Sequence, residues 1–214
     1  MSKPICNKEI ICIDAGHGGV QPGAVSPQFG YKEKDIALDI SLKVRDYLLY
    51  ASKDGDKYII HDFCDKSSIP LVDVIMTRSG DTDISLKERC VFANKAKATF
   101  FISIHCNSHK TSEPNGIETW YYSSSSPIPK KLAENIQKNM MENVKDYQVE
   151  NHPIKSRGVK STTTYYTLKH TVMPSIVVEC GFMSNTDEVK LLYSNETYRI
   201  AIAKGIAKGI LESL

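Results

Sequence analysis

The 214-residue chain has no apolar run approaching the roughly 20 residues that a membrane-spanning helix needs, which argues against a transmembrane protein. Its first residues, Met1-Ser-Lys-Pro-Ile-Cys-Asn-Lys-Glu, contain no apolar stretch of signal-peptide length. The expectation is synthesis in the cytoplasm without a visible leader, the substrate being reached by another route. Net charge is only +2, well short of the basic surplus typical of nucleic-acid-binding domains, so nucleic acid is not an expected partner. None of the six cysteines forms a Cys-x-x-Cys pair. Cys12, Cys90, Cys106 and Cys180 lie inside apolar runs and read as buried, reduced thiols. There is no internal repeat and no linker to a second domain. With 41% apolar and 24% charged residues, residues 1–214 read as one ordinary globular domain.

What is present alternates between strand and helix signals. Ile10-Ile-Cys-Ile13 is a β-branched run stopped by Asp14-Ala-Gly-His-Gly-Gly19. From Glu33 to about Tyr50 the apolar residues Ile36, Ile40, Val44 and Leu48 fall on one helical face. Val72 to Thr77 reads as a second strand. Ser85 and Glu88 have capping-box spacing at the start of a helix reaching about Lys97. Phe100 to Ile104 and Gly116 to Tyr122 read as further strands. Ser126-Pro-Ile-Pro opens a helix ending near Asp146, with the serine as cap. Ser175 to Cys180 is the last strand, followed by Asn185 to Ser194 and a final helix from about Glu196. This order predicts an α/β fold, a mainly parallel twisted sheet with helices on both faces. The polar stretches Ala51 to Asp56 and Cys64 to Pro70 read as an elaborated surface loop.

In open α/β sheets the binding crevice lies outside the carboxyl ends of the strands. His17 follows the first strand, His105 the third, and Glu179 lies near the end of the last, while Glu33 opens the first helix. Two imidazoles and a carboxylate suit a catalytic zinc ion with one position left open, and a further carboxylate can serve as general base. Each residue also has a plainer reading. The Asp14–Gly19 segment is compatible with a glycine turn, although it lacks the spacing and the Lys-Ser/Thr of phosphate loops. His105 alone reads as a core histidine and Glu33 as solvated helix charge. Glu179 is harder to dismiss, because a carboxylate after Ile-Val-Val in a central strand is costly to bury without a partner.

An ordered set of motifs resembles the zinc-dependent N-acetylmuramoyl-L-alanine amidases of the amidase-3 type. Asp14-Ala-Gly-His17-Gly-Gly is similar to the family's first metal motif and Gly30-Tyr-Lys-Glu33-Lys-Asp to the second. Thr77-Arg78, Leu86-x-x-Arg89 and Ala93-Asn94 resemble the structural signature that follows. Phe101-Ile-Ser-Ile-His105-Cys-Asn107, Gly116-Ile-Glu-Thr-Trp-Tyr, Arg157-Gly-Val and Met173-Pro-Ser-Ile-Val-Val-Glu179-Cys-Gly-Phe-Met-Ser-Asn185 complete the set. The resemblance implies one Zn²⁺ per chain held by His17, Glu33 and His105, with Glu179 as the catalytic acid–base. It also implies peptidoglycan of the bacterial cell wall as the substrate, cut between N-acetylmuramic acid and L-alanine.

Asn107 and Arg157 are candidates for binding glycan or peptide, with a structural loop role as the alternative. His109 and His170 are weaker candidates, and His61 and His152 read as surface residues. The Ala51–Asp73 segment is longer than the family's usual link. No wall-binding module or blocking helix is visible, so the expectation is a bare, open catalytic domain.

Two other classes compete. A metallopeptidase acting on a different amide is disfavoured by the absence of His-Glu-x-x-His, and free peptides beginning with L-alanine would decide against it. A non-cutting peptidoglycan-binding module would have lost a ligand or the base, and all four positions are filled. The resemblance fits an autolysin, a phage lysin, or a sporulation or germination enzyme equally.

Overall fold

The strands Glu9–Ala15 (β1), Val72–Met76 (β2), Phe100–Asn107 (β3), Ile117–Tyr122 (β4), Ser156–Thr162 (β7) and Ser175–Phe182 (β8) pair into one sheet in the order β2-β1-β3-β8-β4-β7. The first four in that order are mutually parallel, and β4 runs antiparallel to β8 with β7 parallel to β4. Gln148–Val149 (β5) and His152–Pro153 (β6) form a separate short pair. The computed structural model of the protein describes residues 8–52, 72–123, 126–149 and 152–214. Most of the elongated Ala51–Asp73 segment, with His61 and Cys64, therefore lies outside the described residues, as does Cys6.

Alternation along the strands assigns the two faces. Ile11, Ile13, Ile102, Ile104, Ile176 and Val178 point into the larger core. There they meet Glu33–Ser52 (α1), Ile128–Asn143 (α3), Thr186–Ser194 (α5) and Glu196–Leu211 (α6). Cys12 and Phe101 point the other way, into a smaller cluster with Ala93 and Ala98 at Leu86–Lys95 (α2). Tyr166–His170 (α4) packs beside α2 and over β8 and β4. Helices thus cover both faces, as the alternation of strand and helix signals predicts. The second face is the thinner one, and the cleft opens there.

The apolar stripe of α1 behaves as its spacing requires: Ile36, Ile40, Val44 and Leu48 are all buried. Each such side chain contributes about 1.5–3 kcal/mol of transfer free energy, which anchors the helix and fixes where its first residue sits. The α2 capping box is present in full, with Ser85 accepting from the Glu88 amide and Glu88 from the Ser85 amide. At α3 the cap differs from expectation. Pro127 occupies the cap position without a side-chain hydrogen bond, and Ser126 reaches only the Ile128 amide at 3.4 Å. Cys12, Cys90, Cys106 and Cys180 are buried and free, as their apolar surroundings implied.

Candidate metal centre and cleft

β1 ends at Ala15, and the chain then turns sharply enough to place His17 in the left-handed region at φ 58°. That conformation is costly for a residue with a side chain and needs outside support. Two buried arginines supply it. Arg89 donates to the carbonyls of Ala15 at 2.6 Å, His17 at 2.7 Å and Ile84 at 3.0 Å. Arg78 donates to those of Ala15, Gly16, Gly80 and Lys34 at 2.7–3.0 Å. Arg89 is neutralised by Asp14 at 2.7 Å, a carboxylate that also accepts from Thr77 and Ser103. The turn lies close against β3. A Cβ at Gly16 would stand 2.4 Å from His105 Cε1, so only glycine lets the loop approach that ring.

Glu33 is the first residue of α1, where the helix dipole favours a carboxylate. Its two oxygens divide the work. Oε1 lies 2.9 Å from His105 Nδ1 and accepts from the Cys106 amide, while Oε2 lies 3.1 Å from His17 Nε2 and accepts from the Ala24 amide. Burial acts to raise the Glu33 carboxyl, but the hydrogen bonds from His105 and His17 outweigh it and hold it well below the usual range. Burial acts conversely to lower His105, and the bond and charge of Glu33 overcome it, lifting the imidazole to about 9. The two imidazole rings meet edge to face with centroids 4.9 Å apart.

His17, Glu33 and His105 therefore offer ligand atoms all within 4.8 Å of one another. Two imidazoles and one carboxylate converging at a cleft are the donor chemistry of an open catalytic zinc site. Glu179 sits directly across from His105 in the β3–β8 register. Its carboxyl is nine-tenths buried, and among the described residues its Oε2 has no hydrogen-bond partner. Burial is the main cause that pushes it up to about 8, with Glu33 and Glu118 adding to it and His105 opposing.

Two hollows meet at this point. One, of about 540 Å³, includes Gln21, Asp83 and Glu88 in its walls; the other, of about 520 Å³, includes Asn107, Tyr165, Val177 and Glu179. His17, His105, Leu86 and Thr167 belong to both walls, so the cleft runs continuously past the ligand atoms.

The remaining sequence candidates are distributed unevenly. Asn107 lines the second hollow, but its amide donates to Glu118 and its oxygen accepts from Ser108. Arg157 donates to Glu118 at 2.6 Å and stacks over Phe182. His109 bonds Thr111, His170 packs on Tyr166, and neither belongs to the walls of the two hollows; His152 is exposed. Sequence reasoning passed over Glu118, a buried carboxylate gathering Asn107, Trp120, Arg157 and Lys160. The signal was the same as for Glu179, an acid inside an apolar strand.

Comparison with known proteins places the chain. Residues 11–212 match the Amidase_3 family, described as N-acetylmuramoyl-L-alanine amidase. The N-acetylmuramoyl-L-alanine amidase LytC of Bacillus subtilis is 33% identical over 94% of this chain and 34% of its own length. The germination-specific N-acetylmuramoyl-L-alanine amidase of the same organism is 30% identical over 98% of this chain and 81% of its own length. The chain thus spans about a third of one curated relative and four-fifths of the other. Among solved structures, an N-acetylmuramoyl-L-alanine amidase from Clostridium difficile superposes with a TM-score of 0.79 at 33% identity, covering 96% of each chain.

Proposed function

The chain belongs to the N-acetylmuramoyl-L-alanine amidase family, and on that premise we propose that it is a zinc-dependent peptidoglycan hydrolase. It acts on the bacterial cell wall, cutting the amide between N-acetylmuramic acid and the first L-alanine of the stem peptide, with residues 1–214 as a single catalytic domain. The observation that carries this reading is the convergence of His17, Glu33 and His105 beside Glu179 Oε2, which has no hydrogen-bond partner among the described residues.

His17, Glu33 and His105 would hold the ion. Zinc, when bound, supplies Lewis acidity at the scissile carbonyl and makes water acidic enough to attack near neutrality. Glu179, whose ionised form a cation held by His17, Glu33 and His105 would favour, accepts the proton of the attacking water at Oε2, an oxygen without a hydrogen-bond partner among the described residues. It then delivers that proton to the departing L-alanine nitrogen, so the carboxylate is regenerated and no covalent enzyme intermediate forms. A reaction of this form requires none of the cysteines. Glu33 stays ionised because both imidazoles bond it, and the arginine clamp keeps His17 aimed inward.

The test is dye release from purified cell walls with and without chelator, followed by mass spectrometry of the soluble products. Free peptides beginning with L-alanine, lost on chelation and restored by zinc, are expected. Products cut at another amide would overturn the assignment, and walls bound but not cut would mark a binding module.

A further inference from the structure

Across the sheet, four adjacent strands place His105 (β3), Glu179 (β8), Glu118 (β4) and Gly158 (β7) in one register row. Directly paired residues share a face, so the row runs from the metal ligands outward along the floor of the thinner side. At its far end β4 and β7 slip register. Ile117 pairs Ser156 but Glu118 pairs Gly158, leaving Arg157 as the extra residue of a bulge. Bulges re-aim side chains, and this one turns Arg157 onto the face that Lys160 already occupies. Both cations reach the same atom, Glu118 Oε2, at 2.6 Å.

Between them Gly158 has no side chain, and a Cβ built there meets nothing within 4 Å. The floor between the two cations is therefore bare backbone under open space. Glu118 neutralises only one of the two charges. Arg157 and Lys160 keep 27% and 32% of their side-chain surface exposed, and Lys160 also lies 5.2 Å over the Trp120 ring. Trp120 in turn packs against Tyr165, a wall residue of the hollow that holds Glu179. The opposite hollow carries Asp83 and Glu88 in its walls. Arg157 and Lys160 thus lie beyond the Glu179 end of the cleft, reached past Tyr165 and Trp120, while the carboxylates Asp83 and Glu88 stand at its other end.

We infer that Arg157 and Lys160, set around Gly158, form a subsite for a carboxylate on the peptide half of the substrate, an inference that rests on the amidase reading. The acidic hollow repels such a group and leaves that side to the glycan. Three strand spacings of about 4.8 Å put the subsite about 14 Å from the His105 row position. An extended peptide covers about 3.3–3.6 Å per residue, so the carboxylate recognised lies about four residues beyond the scissile amide.

The experiment compares three substrates: N-acetylmuramoyl-L-alanine amide, an N-acetylmuramoyl tetrapeptide of neutral residues with a free terminal carboxylate, and the same tetrapeptide amidated. Wild type should favour the free acid over its amide about tenfold, expressed in KM and not in kcat. Lys160→Gln should erase that preference and leave the two uncharged substrates unchanged, while Lys160→Arg restores it. Thermal melts of both variants check that Glu118 remains satisfied. Equal cleavage of acid and amide by wild type, or an equal loss on all three substrates in Lys160→Gln, would overturn the subsite but not the amidase activity. Failure of wild type to cut any of the three would overturn the amidase reading and the subsite with it.

Discussion

Replacing Arg89 with methionine tests whether the buried clamp positions a metal ligand or merely fills space. Methionine keeps much of the aliphatic length and removes every donor. Asp14, 1% exposed, would retain Thr77 and Ser103 but lose the guanidinium that forms its ion pair. The carbonyls of His17 and Ile84 would lose the side-chain donor they now have. Breaking a buried pair by removing one partner costs about 3–5 kcal/mol, against a total stability of about 5–15 kcal/mol for a domain. Asp14→Asn combined with Arg89→Met leaves no unpaired charge, so the double variant should be less destabilised than Arg89→Met alone. In the folded protein the loop that holds His17 at φ 58° would be free to relax, and zinc affinity should fall about 10–100-fold, as for other groups that orient ligands from behind. Urea melts give the first quantity, and competition with a chromogenic chelator on the double variant gives the second. A destabilisation under about 1 kcal/mol in Arg89→Met would refute the energetic argument. Wild-type zinc affinity in the double variant would refute the positioning argument.

Three further outcomes follow from the same geometry. Glu179→Gln should lower turnover about 10²–10⁴-fold while zinc content and melting temperature stay near wild type; a parallel loss of zinc would make Glu179 a ligand instead. His105→Ala should lose zinc and activity together, and chelation should lower the melting temperature of wild type but not of this variant, since metal bound to the folded state adds to folding free energy. Glu188, buried beneath β8, accepts from the amides of Phe182 and Gly116. Burial, the largest influence on it, raises its carboxyl to about 7 even though those amide bonds pull it down. A folded value above the unfolded one means that its stabilising contribution is complete below about pH 4.5 and is lost as pH rises through about 7. Urea melts should show on the order of 3 kcal/mol disappearing over that window in wild type but not in Glu188→Gln, and an identical pH slope in both would reject the assignment.

The sequence was legible where structure is local. The α1 stripe, the Ser85–Glu88 capping box and the Ile-, Val- and Phe-rich strands each advertise themselves within a few residues, and each forms close to where it was expected. β7 gave no such signal. Ser156–Thr162 is Ser-Arg-Gly-Val-Lys-Ser-Thr, an edge strand with no buried residue, so neither periodicity nor burial marks it. Its pairing partner β4 lies some 40 positions earlier, and the bulge at Arg157 breaks even the alternation that remains. The grouping of the three proposed ligands with Glu179 could be suggested for a different reason. Four residues far apart in the chain become meaningful only once ordered motifs tie them to a family, because convergence at a sheet edge is a property of the whole topology. What the motifs could not convey is how the proposed ligands are held. Arg78 and Arg89 stand in the sequence as a structural signature, yet their function is to bind the carbonyls of the turn around His17, and main-chain acceptors leave no trace in residue identity. Glu118 escaped notice because its partners Arg157 and Lys160 belong to β7, the strand of the main sheet that the sequence did not reveal. A buried acid in an apolar strand is therefore a sign that a partner exists, while the partner's identity waits on the pairing of strands.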